Sequence, residues 1–308
     1  MILKKNKYTL KQKQKIVDKI YDFDDKDVLE DFNKLVEIGC KKHPLLSHVG
    51  SKVVNKYTSV ERLNTVYNLY RKNRICFYDL IHNKNTLKKE KRIKQMLAFY
   101  KKSYASYPEM KVWFRVSNLY FNAISVFNPL VAIHVYCRFK PTCVLDFTMG
   151  WGGRLVGACA LNIGRYIGID NNRNLIAPYK KMQTFLEKHS KTDIQLMFED
   201  ALAVDYSKLD YDLVLTSPPY YNIELYSGTK EQSEEAWDRD FYIPLFEKTF
   251  RHLKRGGHYC LNIPADVYDK VAKKVLGKPS LKIAMPKKAR SENKHLNKHE
   301  YIYIWSKG

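Results

Sequence analysis

Residues 212 to 221 read Asp-Leu-Val-Leu-Thr-Ser-Pro-Pro-Tyr-Tyr, a buried-strand pattern with an abrupt stop. Leu213-Val214-Leu215 is a short apolar run that stops at two prolines. Prolines cannot donate to a strand ladder, so they belong just past the end of a buried parallel strand. In open α/β sheets ligands bind outside that carboxyl end, which makes Ser217, Pro218, Pro219 and Tyr220 the candidate catalytic residues. The prolines fix the backbone, so the carbonyls of Ser217 and Pro218, with the Ser217 hydroxyl, form a rigid set of acceptors. Such a set suits an exocyclic amine, which offers two N–H donors. Tyr220 adds a ring on which a planar base can stack, worth about 1–3 kcal/mol per base.

Upstream, Cys143-Val144-Leu145-Asp146-Phe147-Thr148-Met149-Gly150-Trp151-Gly152-Gly153-Arg154 is an apolar strand ending in an acid, then a glycine turn opening a helix from Leu155 to Leu161. Glycine is needed where the backbone approaches a ligand closely or takes positive φ. Tyr166-Ile167-Gly168-Ile169-Asp170 reads as a second strand ending in an acid, with Asn171 behind it and Asp170 placed to accept the hydroxyls of a ribose. Leu196-Met197-Phe198-Glu199-Asp200-Ala201 gives a third, with Glu199 and Asp200 competing for the terminal position. A helix fits residues 173 to 189, and a further strand fits residues 258 to 263. This alternation is an α/β doubly wound, mostly parallel sheet of Rossmann-like type. Asp146 would oppose a pyrophosphate on the glycine loop but suits a sulfonium and amino-acid cofactor, which favours S-adenosyl-L-methionine over a dinucleotide.

Thr216-Ser217-Pro218-Pro219-Tyr220 resembles the catalytic motif of the S-adenosylmethionine-dependent amino-methyltransferases, which methylate adenine N6 or cytosine N4 in DNA. The resemblance runs in motif order over residues 125 to 308. The glycine loop departs from it: the family commonly carries Asp-Pro-Phe-x-Gly-Ser-Gly, whereas Phe147, Thr148 and Trp151 stand here beside the retained Asp146, Gly150 and Gly152. The resemblance implies a methyltransferase fold whose last strand, near residues 301 to 305, is antiparallel. It implies a cofactor site of Phe127, Asn128, Pro129, Asp146, Thr148, Gly150, Gly152, Asp170, Asn171, Asp200 and Ala201. Phe127-Asn128-Pro129 would close over the methionine end, and Asp200 would contact the adenine. It implies transfer to a base flipped out of duplex DNA or taken from a single strand, with adenine N6 and cytosine N4 both open. An RNA amino-methyltransferase of the same fold and a catalytically idle nucleic-acid-binding subunit are the alternatives. A restriction partner, a partner subunit and a homodimer stay open.

At 308 residues and 45% hydrophobic content the chain can bury a sizeable core. A net charge of +22 is the electrostatic footprint of a polyanion binder, so DNA is the expected partner and RNA a possible one. No apolar run reaches membrane-spanning length, which leads to the expectation of a soluble intracellular protein without membrane contact, in a host cytoplasm if viral or phage-encoded. The cysteines at 40, 76, 137, 143, 159 and 260 form no C-x-x-C pair, so no metal site and only reduced thiols are expected.

Residues 1 to 122 read as a basic, mostly helical N-terminal region for DNA contact or target recognition, and residues 123 to 308 as the catalytic domain. Within the former, Phe32, Leu35, Val36 and Ile38 recur at helical spacing before Gly39. A helix over 58–82, capped by Thr58 or Ser59, and another over 86–107 are expected, the latter with a basic face of Lys88, Lys89, Lys91, Arg92, Lys94, Lys101 and Lys102. Asn128 and Pro129 fit the cap and first position of a helix.

Overall fold

In a computed structural model the described residues are 3–42, 44, 45, 47–67, 75–120, 124–226, 231–285 and 300–308. The N-terminal region contributes α1 (Leu10–Asp18), α2 (Asp25–Ile38), α3 (Ser51–Arg62), a two-residue strand β1 (Val66–Tyr67), α4 (Phe77–His82), α5 (Lys84–Leu87), α6 (Lys91–Ser103) and α7 (Glu109–Tyr120). After α8 (Pro129–Phe139) strands and helices alternate: β2 (Cys143–Asp146), α9 (Gly153–Ala160), β3 (Arg165–Ile169), α10 (Ile176–Glu187), β4 (Asp193–Met197) and β5 (Leu213–Thr216). A short β6 (Glu224–Leu225) pairs with β1, and β7 (His258–Ile263), β8 (Leu281–Ala284) and β9 (Tyr301–Ser306) complete the set.

Among the described residues the main sheet has seven strands in the order β4-β3-β2-β5-β7-β9-β8. The ladders from β4 to β7 are parallel, while β9 runs antiparallel to both β7 and β8. This is the doubly wound, mostly parallel architecture expected from the alternation, with the antiparallel last strand. The order reverses between β2 and β5, so a crevice opens where their carboxyl ends diverge. Both strands are buried along their length, as continuous apolar runs require.

Local chemistry accounts for several boundaries. Asp24 and Asp27 form a reciprocal capping box at the start of α2, and Gly39 ends the helix with φ 46°. The Asn128 side chain accepts from the Leu130 N–H at 3.0 Å, with Pro129 opening α8 as expected.

The expected helix over 58–82 is not one helix. α3 begins at Ser51 after Gly50 and ends at Arg62; Thr58 and Ser59 lie inside it, and the Thr58 hydroxyl bonds back to the Val54 carbonyl at 2.8 Å. Residues 68 to 74 of the expected helix lie outside the described residues. Likewise the 86–107 stretch divides, its main helix being α6. Residues 227 to 230 lie outside the described residues, and beyond them Ser233 caps a short helix, Glu234–Trp237.

Packing divides the N-terminal region in two. Val28, Phe32, Leu35, Val53 and Val54 share a buried core with α8, α9 and α10, so α2 and α3 belong to the helical layer on one face of the sheet. A separate core joins Ile16, Val17 and Ile20 to Phe77, Tyr78, Leu80, Ile93, Trp113 and Val116. The lysine-rich first residues are thus anchored: Asp79 accepts from Lys5 Nζ at 3.0 Å and from the Asn6 N–H at 2.8 Å.

Cys40 and Cys137 form a disulfide that ties the end of α2 to α8, which corrects the expectation that all the cysteines are reduced. Their separation of 97 residues gave no local sign of the pairing. Cys76, Cys143, Cys159 and Cys260 are buried free thiols. No helix among the described residues is long and apolar enough to cross a membrane.

Candidate active site

A cavity of about 680 Å³ lies at the carboxyl ends of the central strands. Into it come Thr148 and Gly150 after β2, Asp170 and Asn171 after β3, Asp200 and Ala201 after β4, and Ser217, Pro218, Pro219 and Tyr220 after β5. Phe127 and Asn128 line it from the start of α8. Of the two acids after β4, Asp200 is in the lining and Glu199 is not. Pro129, Asp146 and Gly152 are not in the lining, and each has another job.

Asp146 is fully buried and its carboxylate is already occupied. One oxygen accepts from Arg154 Nε at 2.6 Å and from the Tyr166 hydroxyl at 2.6 Å; the other accepts from the Thr216 hydroxyl at 2.8 Å. The expectation that this acid faces a cationic cofactor is thereby corrected, because no oxygen of it is turned to the cavity lining. The residue that does face the cavity is its partner, Arg154. Burial works against the guanidinium charge, but the Asp146 carboxylate more than offsets it and holds Arg154 ionised. Arg154 Nη2 also donates to the Thr148 carbonyl at 2.5 Å, and the Thr148 and Thr216 hydroxyls meet at 2.6 Å. One buried ion pair therefore clasps the glycine loop to the residue just before Ser217.

The glycines divide the work. Gly150 and Gly152 sit at φ 55° and 93°, a region that side chains rarely adopt. Gly152 caps α9 beneath the loop, where an added Cβ would meet Met182. At Gly153, which lines the cavity, an added Cβ would lie 1.9 Å from the Phe127 carbonyl oxygen. The absence of a side chain there is what lets the segment before α8 lie against the glycine loop. Gly153→Ala is expected to cost about 1–3 kcal/mol of stability, read by chemical denaturation, because backbone must move to admit the methyl group. Pro129 packs on Gly50 instead of the cavity.

Asp170 accepts the Gly150 N–H at 2.9 Å on one oxygen and the Asn172 N–H at 2.9 Å on the other. Burial pushes its carboxyl up to about 6, against the pull of those two N–H groups. Helix α3 supports this loop from behind, since Glu61 accepts from Asn174 Nδ2 at 3.1 Å.

In the Ser-Pro-Pro-Tyr stretch Ser217 Oγ lies 3.0 Å from the Tyr220 hydroxyl and 3.3 Å from Asn262 Oδ1. The Tyr220 hydroxyl is 2.8 Å from Glu300 Oε1. Tyr242 donates its hydroxyl to the Pro219 carbonyl. By contrast, no hydrogen bond among the described residues uses the Pro218 carbonyl. Tyr221 follows at φ 50°, a rare value for a side-chain-bearing residue, held by the contact of its N–H with the Tyr242 hydroxyl and of its own hydroxyl with Asp238.

Arg154, Asn262 and Glu300 complete the site but were not among the residues expected in it, and neither were Trp237, Asp240 and Phe241, which also line the cavity. Arg154 had a signal, a basic residue at the helix start after a glycine turn. Asn262 lies near the carboxyl end of β7, beside the end of β5, and Glu300 directly precedes β9, the antiparallel neighbour of β7; Glu300 had no local signal, because only the pairing of β7 with β9 brings it there.

No protein-family model matches the sequence, and no curated protein does. Solved structures with similar chain paths include an rRNA methylase from Streptococcus thermophilus, at 15% identity over 60% of this chain and 99% of that one, with a TM-score of 0.38. TrmN from Thermus thermophilus is similar at 14% identity over 59% of this chain and 49% of that one, TM-score 0.39. The tRNA (m1A58) methyltransferase TrmI from Aquifex aeolicus is similar at 13% identity over 59% and 69%, TM-score 0.38. At these values the likeness carries nothing about chemistry, which has to be argued from the residues of the cavity.

Proposed function

We propose that the chain is an S-adenosyl-L-methionine-dependent methyltransferase acting on an exocyclic amine, adenine N6 or cytosine N4, of a base in DNA. One observation carries this reading: the Ser-Pro-Pro-Tyr stretch, the glycine loop and the acids after β3 and β4 open into a single cavity. The donor set fits the cofactor. Asp170 keeps acceptor capacity for ribose hydroxyls, Asp200 can accept from an adenine amine, and Arg154 offers a cation to an amino-acid carboxylate. The cofactor would supply an electrophilic methyl group on sulfonium.

The residues of the chain do the positioning. The unengaged Pro218 carbonyl and the Ser217 hydroxyl hold the amine hydrogens, and this directs the nitrogen lone pair. The Tyr220 ring forms a wall for the base, its hydroxyl fixed by Asn262 and Glu300. The line from Ser217 through Tyr220 to Glu300 gives the proton lost by the amine a hydrogen-bonded route away. Flipping a base costs a few kcal/mol, which stacking in the cavity offsets. The exposed Lys91, Arg92, Lys94, Lys101 and Lys102 of α6 supply phosphate contacts.

Asp170 provides the test of the cofactor site. Its ionised form is the one that accepts ribose hydroxyls, so cofactor affinity is expected to fall about tenfold per pH unit below about 6 and to level off above it. Calorimetric titration with S-adenosyl-L-methionine between pH 5 and 8 reads this, and Asp170→Asn is expected to flatten the profile. The sign for the unliganded fold is opposite. The folded state holds this proton where the unfolded state has released it, so stability from this group is present at low pH and is lost as pH rises through about 6. Cofactor binding independent of pH in this window would overturn the role of Asp170.

A further inference from the structure

A second cavity of about 300 Å³ lies within the N-terminal region and shares His48, Val126 and Asn128 with the wall of the first. Arg62, at the end of α3, lines it and is only 4% exposed. Its Nη2 meets three neutral acceptors: the Tyr21 hydroxyl at 2.8 Å, Asn55 Oδ1 at 2.7 Å and Ser59 Oγ at 3.0 Å. Nη1 is buried with no hydrogen-bond partner among the described residues. Among the described residues no carboxylate lies within ion-pair reach of it and no Asp or Glu lines the cavity. The contrast with Arg154, equally buried but held by Asp146, is direct.

A guanidinium stays charged in proteins, and burying it without a counter-charge costs several kcal/mol. The Tyr21 ring, 6.0 Å from the guanidinium carbon, returns only part of that. An oxyanion in the cavity would supply the counter-charge that no described residue gives Arg62. Around Arg62 it offers the polar side chains of Ser51, Asn55, Asn118 and His48, a lining suited to a phosphate group.

We propose that the Arg62 cavity is a phosphate site that receives a backbone phosphate of the nucleic acid whose base enters the neighbouring cavity. The second half of this statement rests on the function proposed above; the first half does not. The shared wall at His48, Val126 and Asn128 places the two cavities side by side, as adjoining parts of one polymer would require.

The test uses the full chain and Arg62→Met, which keeps much of the side-chain volume and removes the charge. Inorganic phosphate is titrated against potassium chloride at equal ionic strength, with the melting temperature as readout. Phosphate is expected to raise the melting temperature of the wild type saturably and to leave Arg62→Met unmoved. Without phosphate each protein's own melting temperature is the baseline from which its shift is read, since the variant loses an unpaired buried charge together with the three hydrogen bonds of Nη2. Equal response of both proteins, or none in the wild type, overturns the phosphate site.

A fluorescent oligonucleotide then distinguishes the source of the phosphate. Its affinity is expected to drop about tenfold in Arg62→Met, with the log–log salt slope reduced by about 0.9 on duplex or about 0.7 on a single strand. Unchanged oligonucleotide affinity, with a nucleoside monophosphate still giving the Arg62-dependent shift, overturns the polymer assignment in favour of a free nucleotide. Neither arm measures methyl transfer, so failure of the proposed activity and failure of the phosphate site are separable.

Discussion

Asp146→Ala is expected to lower the unfolding free energy by about 3–5 kcal/mol, the usual consequence of stripping a buried cation of its partner. The carboxylate accepts from Arg154, Tyr166 and Thr216 at 2.6, 2.6 and 2.8 Å, so its removal also leaves two buried hydroxyls short of an acceptor. Urea unfolding followed by circular dichroism measures the loss. The double variant Asp146→Ala with Arg154→Met is expected to recover a large part of it, because an apolar pair is tolerated where a lone charge is not. A single-variant loss under about 1 kcal/mol would mean that Arg154 finds water or another partner, and that the clasp between the glycine loop and Thr216 is dispensable. The clasp also gives the variant a functional signature. Thr216 precedes Ser217 directly, so the surviving folded fraction is expected to bind cofactor poorly and to position the amine poorly at once.

Ser217→Ala is expected to separate those two properties. Its hydroxyl touches Tyr220 and Asn262 and no residue of the glycine loop or the acids after β3 and β4. On the proposed reading it holds an amine hydrogen during transfer. The turnover is expected to fall about 100-fold, the scale at which misplacing a reacting group is felt, while the cofactor dissociation constant moves less than about threefold. Single-turnover rates and a calorimetric titration on the same preparation decide it. Equal loss of both would assign Ser217 to cofactor binding, and loss of neither would remove it from the chemistry.

The central strands were legible because each is a short apolar run closed by a residue that cannot continue it. Leu213–Thr216 stops at two prolines, and Cys143–Asp146 and Arg165–Ile169 stop at acids and turn residues. That periodic signal also fixed which strand ends carry the site, so Thr148, Gly150, Asp170, Asp200 and Ser217 come together as their positions in the alternation require. Strand β8 escaped notice: Leu281-Lys282-Ile283-Ala284 is an edge strand with only intermediate and exposed residues, set in a lysine-rich stretch. An edge needs little apolar surface, and its lysine serves against unwanted pairing.

Asp146 shows a different limit. The sequence placed it correctly at a strand end, but whether a carboxylate at such a place faces a ligand or a neighbour depends on what else is buried there. Arg154, eight residues on, and Tyr166, twenty on, consume it. Such partners are chosen by packing after the sheet has formed, which no local pattern records. The Cys40–Cys137 bond and the contribution of Glu300 share that character, since each depends on segments far apart in the chain. The start of α3 was misplaced for a more local reason. Thr58 and Ser59 have the chemistry of caps, but Gly50 at φ 83° turns the chain earlier, and the Thr58 hydroxyl is then free to bond inside the helix.

The proposed function of this cavity is methyl transfer to a nucleic-acid amine. Incubating the protein with isotopically labelled S-adenosyl-L-methionine and unmethylated duplex DNA, then digesting the DNA for nucleoside mass spectrometry, tests it most directly. Label in N6-methyladenine or N4-methylcytosine is the result expected, with Ser217→Ala giving about one hundredth of the rate. Label confined to an RNA substrate would move the assignment to RNA, and no label on either nucleic acid despite measured cofactor binding would contradict it.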